Sequence, residues 1–149
     1  MQNDILSPDD AGPEIPRFLG WAGLIPFAVA ALCTQSGVDG LVLYGFLGGT
    51  AYAAVILTFL GAVHSGLAMQ DNRHPFWYIW AVTPSLLATA SLMLFDVQWR
   101  LVALIPFFGL IWSVDMQAAK RGLIPPWYMA LRTQLTIGAI VSLSVMFFA

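Results

Sequence analysis

Charge is scarce in this chain. Charged residues make up 9% of its 149 residues and hydrophobic residues 59%, whereas charged residues form about 25% of an ordinary soluble domain. A soluble globular fold is excluded on that balance, and the mean hydropathy of +0.78 agrees. No basic patch is present, which sets nucleic acid aside as a partner. The one cysteine, Cys33, can neither close an internal disulfide nor supply a pair of thiolate ligands. Also missing are HExxH, Cys-x-x-Cys, a phosphate-cradling glycine loop and paired carboxylates within one apolar segment. Ser85, beside Pro84, and His64 have the residue types of a nucleophile and a base, but nothing in the sequence orients one toward the other. The expectation is therefore not an enzyme. The N-terminus has no basic start and no small-residue cleavage site, so the first helix is expected to act as its own anchor.

What is abundant is long apolar sequence. A bilayer core about 30 Å thick asks for roughly 20 apolar residues per helix, and runs of that length recur five times with short connectors. The expected fold is all-α, an integral membrane bundle of five antiparallel transmembrane helices. Residues 1–16 are polar and acidic with Pro8, Pro13 and Pro16, and are expected to form a flexible tail in water. Helices are expected at about 17–34, with Pro26 kinking the middle, and at about 40–69, 75–95, 99–119 and 125–149. Pro75 and the Pro125–Pro126 pair suit helix starts, and Gly122 suits a C-terminal cap. Trp77, Tyr78 and Trp80 match an interfacial aromatic belt.

The second segment is rich in small residues at four-residue spacing: Gly45 with Gly49, Gly49 with Ala53, Gly61 with Ser65. In lipid such spacing lets backbones approach closely, so Gly45, Gly49 and Gly61 are read as packing positions and this helix as the centre of the bundle. With five spans, Arg17, Arg73, Lys120 and Arg121 share one side and Arg100 the other. The basic excess predicts a cytoplasmic N-terminus. The phrases GLIPF (23–27) and ALIPF (103–107) hint at an inverted repeat, a carrier trait, although five helices do not divide evenly.

One basic residue lies inside an apolar segment. Arg132, in GLIPPWYMALRTQLT (122–136), belongs to the fifth segment, and an Arg at the centre of a spanning helix costs about 2.5–3.5 kcal/mol unless a partner receives it. Two partners are available, Asp115 and His64. At 1.5 Å per residue all three lie roughly 6–10 Å inside the same membrane face. Tyr128, one turn before Arg132, and Gln117 and Gln134 add donors and acceptors nearby. Two roles suit this cluster: an ion pair that anchors helices, or a site for a small ligand or a proton. His64 and His74 are ten residues apart, about 15 Å along a helix, so they cannot share a metal or a haem iron. The expected partners are the lipid bilayer and a small ligand or another membrane protein; the cofactor is unknown.

LGWAGLIPF (19–27), YAAVILTFLGAVHSG (52–66), PSL (84–86) and Asp115 followed by GLIPPWYMALRTQLT (122–136) occur in an order and spacing that resemble a family of uncharacterised bacterial membrane proteins related to mitochondrial transmembrane protein sixty-nine. The resemblance covers nearly the whole chain beyond the tail. It implies the bacterial inner membrane, or by kinship the mitochondrial inner membrane, and transfers no activity and no cofactor. Where that family often has Trp after the histidine, this chain has Ser65. The reading that follows is a non-enzymatic inner-membrane binding or accessory protein centred on His64, Asp115, Tyr128 and Arg132. A small transporter, with Pro26, Pro84 and Pro106 as hinges, is the alternative.

Overall fold

The computed structural model describes residues 14–70 and 75–149. Among the described residues the regular structure is entirely helical: α1 (Glu14–Ala22), α2 (Ile25–Thr34), α3 (Asp39–Gln70), α4 (Pro75–Leu92), α5 (Val97–Lys120) and α6 (Pro126–Phe147). Most of the expected tail, and Arg73 and His74 of the connector before α4, lie outside the described residues.

The first apolar segment departs from the expectation of one kinked helix. Glu14 and Pro16, read from the sequence as tail, belong to α1, and the chain breaks at Gly23–Leu24. Pro26 therefore sits in the first turn of a new helix. There its missing N–H removes no bond, because the first N–H groups of a helix have no intrahelical partner. The Gly23 carbonyl, left over at the break, accepts a 2.9 Å hydrogen bond from the Tyr52 hydroxyl of α3. A polar group of α3 thus satisfies the backbone that the break frees in an apolar setting.

The turn between α5 and α6 sets the depth of Asp115 and Arg132. At the end of α5, Gly122 takes a left-handed φ of 74°. Its N–H reaches the Ala119 carbonyl at 2.9 Å, and the Leu123 N–H reaches back to the Ala118 carbonyl at 3.1 Å. This is the glycine-closed helix end in which orphan carbonyls are used up. Pro125 is extended and Pro126 opens α6. At its other end α5 starts at Val97, two residues before the expected start, because the Asp96 side chain accepts from the Gln98 N–H at 2.8 Å. α4 stops at Leu92, short of the expected 95, and Arg100 Nε donates to the Leu94 carbonyl at 2.7 Å just beyond it.

α3 packs against α2, α4, α5 and α6. Its glycines are where the close approaches fall. A Cβ on Gly45 would stand 2.9 Å from both the Ala30 carbonyl and Cys33 Cβ, one on Gly49 would stand 2.9 Å from Ala30 Cβ and collide with Met146, and one on Gly61 would stand 2.6 Å from the Ala81 carbonyl of α4. The core between them is built from Phe27, Leu57, Leu101, Leu104, Phe108, Ile111 and Leu143 with interleaved alanines. Outside it, Phe18, Leu32, Tyr44, Phe59, Ile79 and Ile137 are exposed. So much outward apolar surface is a lipid-facing surface, not a soluble one. Among the described residues, four segments are long and apolar enough to cross a membrane: Glu14–Thr34, Asp39–Gly66, Val97–Lys120 and Pro126–Phe147. The remaining helix, α4, has 18 residues and carries Trp, Tyr, Thr, Ser and Pro among its apolar ones.

Candidate functional site

His64, Asp115 and Arg132 meet where α3, α5 and α6 face one another, and their exposures of 0%, 3% and 4% seal them from solvent. Arg132 Nε donates to Asp115 Oδ2 at 2.7 Å, and Arg132 Nη1 donates to the Thr136 hydroxyl, one turn on along α6, at 2.7 Å. A second polar link, the Trp112 indole N–H on the Thr133 hydroxyl at 2.9 Å, ties the same two helices beside the ion pair. The register that puts Asp115 opposite Arg132 is therefore held at two points.

His64 faces oxygen from both ring nitrogens. Nδ1 lies 3.3 Å from the Leu60 carbonyl with hydrogen-bond alignment. Nε2 lies 3.0 Å from Asp115 Oδ1 but without that alignment, and it has no hydrogen-bond partner. A neutral imidazole has one N–H. With that proton on Nδ1, directed to the Leu60 carbonyl, the Nε2 lone pair meets a carboxylate. The Trp77 ring of α4 stacks on the imidazole at a centroid distance of 5.7 Å and 14° between planes. The residue after His64 is Ser65, and the aromatic that faces the imidazole comes from another helix.

Tyr128 lies half-buried one turn before Arg132, its ring edge-on to Trp127. Gln117 and Gln134, expected nearby, are both exposed. Each stands two residues from its ionised neighbour, which on a helix turns a side chain to roughly the opposite face. Thr136 and Trp77 were missed in the sequence: the first is an ordinary threonine within an apolar run, and the second reads there as an interfacial aromatic.

The guanidinium is incompletely used. Arg carries five N–H donors, yet Arg132 Nη2 is buried and has no hydrogen-bond partner. Arg132 and Tyr128 line a cavity of about 360 Å³ whose other described walls are apolar: α1 and α2 through Leu19, Gly20 and Phe27, α3 through Ile56 and Leu60, and α6 through Leu135.

The pattern of a family described as a protein of unknown function, DUF3429, matches residues 12–148. The chain belongs to the DUF3429 family. Transmembrane protein 69 of Xenopus tropicalis is similar, 34% identical over 148 residues that cover 96% of this chain and 57% of the relative. The chain thus spans a little over half the length of that relative. No solved structure matches.

In this DUF3429 chain the cluster is suited to hydrogen bonding and charge. Among the described residues no group of three or more His, Cys, Asp or Glu could hold a metal ion. The guanidinium 2.7 Å from the Asp115 carboxylate would also repel a cation there. The cluster ties α5 to α6 through Arg132 and Asp115 and sets the His64 imidazole of α3 against the same carboxylate.

Proposed function

We propose that this chain is a non-enzymatic binding protein of the inner membrane, with α1 and α2 together, α3, α4, α5 and α6 as five alternating spans and the N-terminal side in the cytoplasm. The basic residues Arg17, Lys120 and Arg121 on that side support the orientation. α4 serves as the fifth span because Ile79, Val82 and Leu86 give it an outward apolar face. Its site is the His64, Asp115 and Arg132 cluster together with the cavity that Tyr128 and Arg132 line. The observation that carries this reading is that Arg132 and Tyr128 line an otherwise apolar cavity while Arg132 Nη2 stays buried without a hydrogen-bond partner. A guanidinium kept only to anchor helices would be expected to spend its N–H groups on the protein, since an unmade buried hydrogen bond costs about 1–3 kcal/mol. A small membrane-soluble ligand with an acceptor atom completes it.

Native mass spectrometry of gently solubilised protein tests this. The wild type is expected to retain a small molecule that Arg132→Ala loses; wild type carrying only bulk lipid, with no difference in the variant, would make the cluster an anchor. One observation favours a carrier as the second reading: Gly23 and Leu24, at the break between α1 and α2, line the same cavity. Broken helices at a binding site are a carrier feature. In reconstituted liposomes a carrier moves the retained molecule across the bilayer and Arg132→Ala abolishes the flux, whereas an accessory binding protein gives none.

A further inference from the structure

We propose that the open groove between α5 and α6, beside the turn that joins them, holds one anionic phospholipid, with its phosphate on Lys120 and Arg121 and an acyl chain along the two helices. The groove shares no lining residue with the cavity at Arg132. It is a second site and goes beyond the binding reading above. Three observations lead there.

The first is depth. Val97–Lys120 and Pro126–Phe147 are both long and apolar enough to span a bilayer, so the turn between them lies where hydrocarbon meets the headgroups. Lys120 and Pro126 line the groove at that turn, and Met116, Met129, Ala130 and Thr133 line it further along the helices. Thr133 is seven residues into α6 from Pro126, about 10 Å at 1.5 Å per residue. The groove therefore runs from headgroup level to the depth of an acyl chain.

The second is charge. Lys120 and Arg121 are adjacent and exposed, and neither side chain has an ion pair or hydrogen bond among the described residues. No Asp or Glu occurs after Asp115, and Asp115 is itself buried against Arg132. The carbonyls of Gln117, Ala118 and Ala119 at the end of α5 are taken by the N–H groups of Arg121, Gly122 and Leu123. At the start of α6, by contrast, the Trp127 N–H takes no backbone carbonyl among the described residues. That is the positive end of a 22-residue helix. The turn thus offers two cations and a helix N-terminus, a combination that attracts phosphate.

The third is the match of head to floor. The one hydroxyl in the groove, on Thr133, is already spent: it donates to the Met129 carbonyl and accepts from the Trp112 indole. Below Lys120 the groove is therefore apolar, and Met116 and Met129 bring flexible, unbranched side chains that adapt to a chain lying on them. A soluble anion would use the two cations and leave this floor bare. A phospholipid uses both. A zwitterionic head would bring a second cation toward Lys120 and Arg121, so a phosphate diester with an uncharged polyol is favoured.

The test uses dioleoyl phosphatidylglycerol and dioleoyl phosphatidylcholine as probes on the full chain in a non-ionic detergent, with binding read by native mass spectrometry. Two variants accompany the wild type. Lys120→Gln with Arg121→Gln removes the charges, and Ala130→Trp fills the groove while keeping them; all three positions are exposed, so each variant is expected to keep the wild-type unfolding midpoint in the absence of lipid. The wild type is expected to hold one phosphatidylglycerol per chain. Phosphatidylcholine should bind at least about tenfold more weakly. The double glutamine variant should lose about thirtyfold in affinity for phosphatidylglycerol, roughly fivefold for each basic residue, and Ala130→Trp should lose the single tight lipid although its charge is unchanged. Equal binding of the two lipids by the wild type would overturn the anionic assignment. Undiminished binding by the double glutamine variant would show that Lys120 and Arg121 do not receive the head. An unchanged tight lipid in Ala130→Trp would mean that the cations attract anionic lipid without the groove, and the site as proposed would fall.

Discussion

Asp115→Ala is expected to destabilise the protein by about 3–5 kcal/mol, the range for removing one partner of a buried ion pair. Asp115 is the acceptor on which the cluster converges: Arg132 Nε donates to one oxygen at 2.7 Å and His64 Nε2 faces the other at 3.0 Å. Without it, the guanidinium keeps only the Thr136 hydroxyl at 2.7 Å, at a position with almost no access to water. Snorkelling, by which a long cationic side chain recovers solvent, is not open to Arg132 in this packing, because it is 4% exposed. Removing both charges gives the opposite expectation. The double replacement Asp115→Leu with Arg132→Met should lie within about 1 kcal/mol of wild type or above it, since apolar pairs of similar volume match or outdo buried ion pairs. Reversible denaturation in mixed micelles, followed by tryptophan fluorescence, gives both values. A loss below about 1 kcal/mol for the single variant would mark the pair as no stronger than a surface one. The double variant also separates stability from binding: it should fold well and hold no ligand.

Much of this arrangement could be read before any coordinates. An ionised residue inside an apolar run has few explanations, so Arg132, Asp115 and His64 marked themselves. Rise per residue then set them at one depth, because the ends of their helices are marked by Gly122, Pro125 and Pro126. The parts that could not be read are those whose residues look ordinary. Thr136 is a threonine in an apolar helix until a guanidinium reaches it. Trp77 stacks on His64 only because α4 packs closely on α3, a tertiary fact with no local trace. The Leu60 carbonyl is backbone and has no sequence signature at all. Pro26 was misread for a related reason. A proline in GLIPF fits either a kinked helix or the first turn of a new one, and the choice is made by Tyr52, twenty-nine residues beyond Gly23, whose hydroxyl donates to the freed Gly23 carbonyl. Proximity in sequence misled with Gln117 and Gln134, since a two-residue step on a helix carries a side chain away from its neighbour's face.

Gly61→Ala is the other substitution with a large expected effect, from the addition of one methyl group. A Cβ at this position would meet the Ala81 carbonyl of α4 at 2.6 Å and Pro84 Cγ at 3.2 Å. The first obstacle is backbone and cannot turn aside, so α4 has to move. Overpacking of this kind costs about 1–3 kcal/mol, and a rigid neighbour argues for the upper part of that range. Gly48, in the same helix, has nothing within 4 Å of its would-be Cβ. There the intrinsic preference for alanine acts alone, and Gly48→Ala should stabilise by about 0.5–1 kcal/mol. Opposite signs in the same helix would locate the cost in the α3 and α4 contact and not in helix propensity. The displacement should also reach the cluster. His64 lies one turn beyond Gly61 on α3, and Trp77 one turn before Ala81 on α4, so pushing the helices apart at the glycine opens the stack of indole on imidazole. The His64 ring protons, shifted upfield by the Trp77 ring current in the wild type, should move back downfield in Gly61→Ala and stay unchanged in Gly48→Ala. If Gly61→Ala folds with wild-type stability and an unshifted His64, then the close approach of α3 and α4 is not what holds Trp77 against the imidazole.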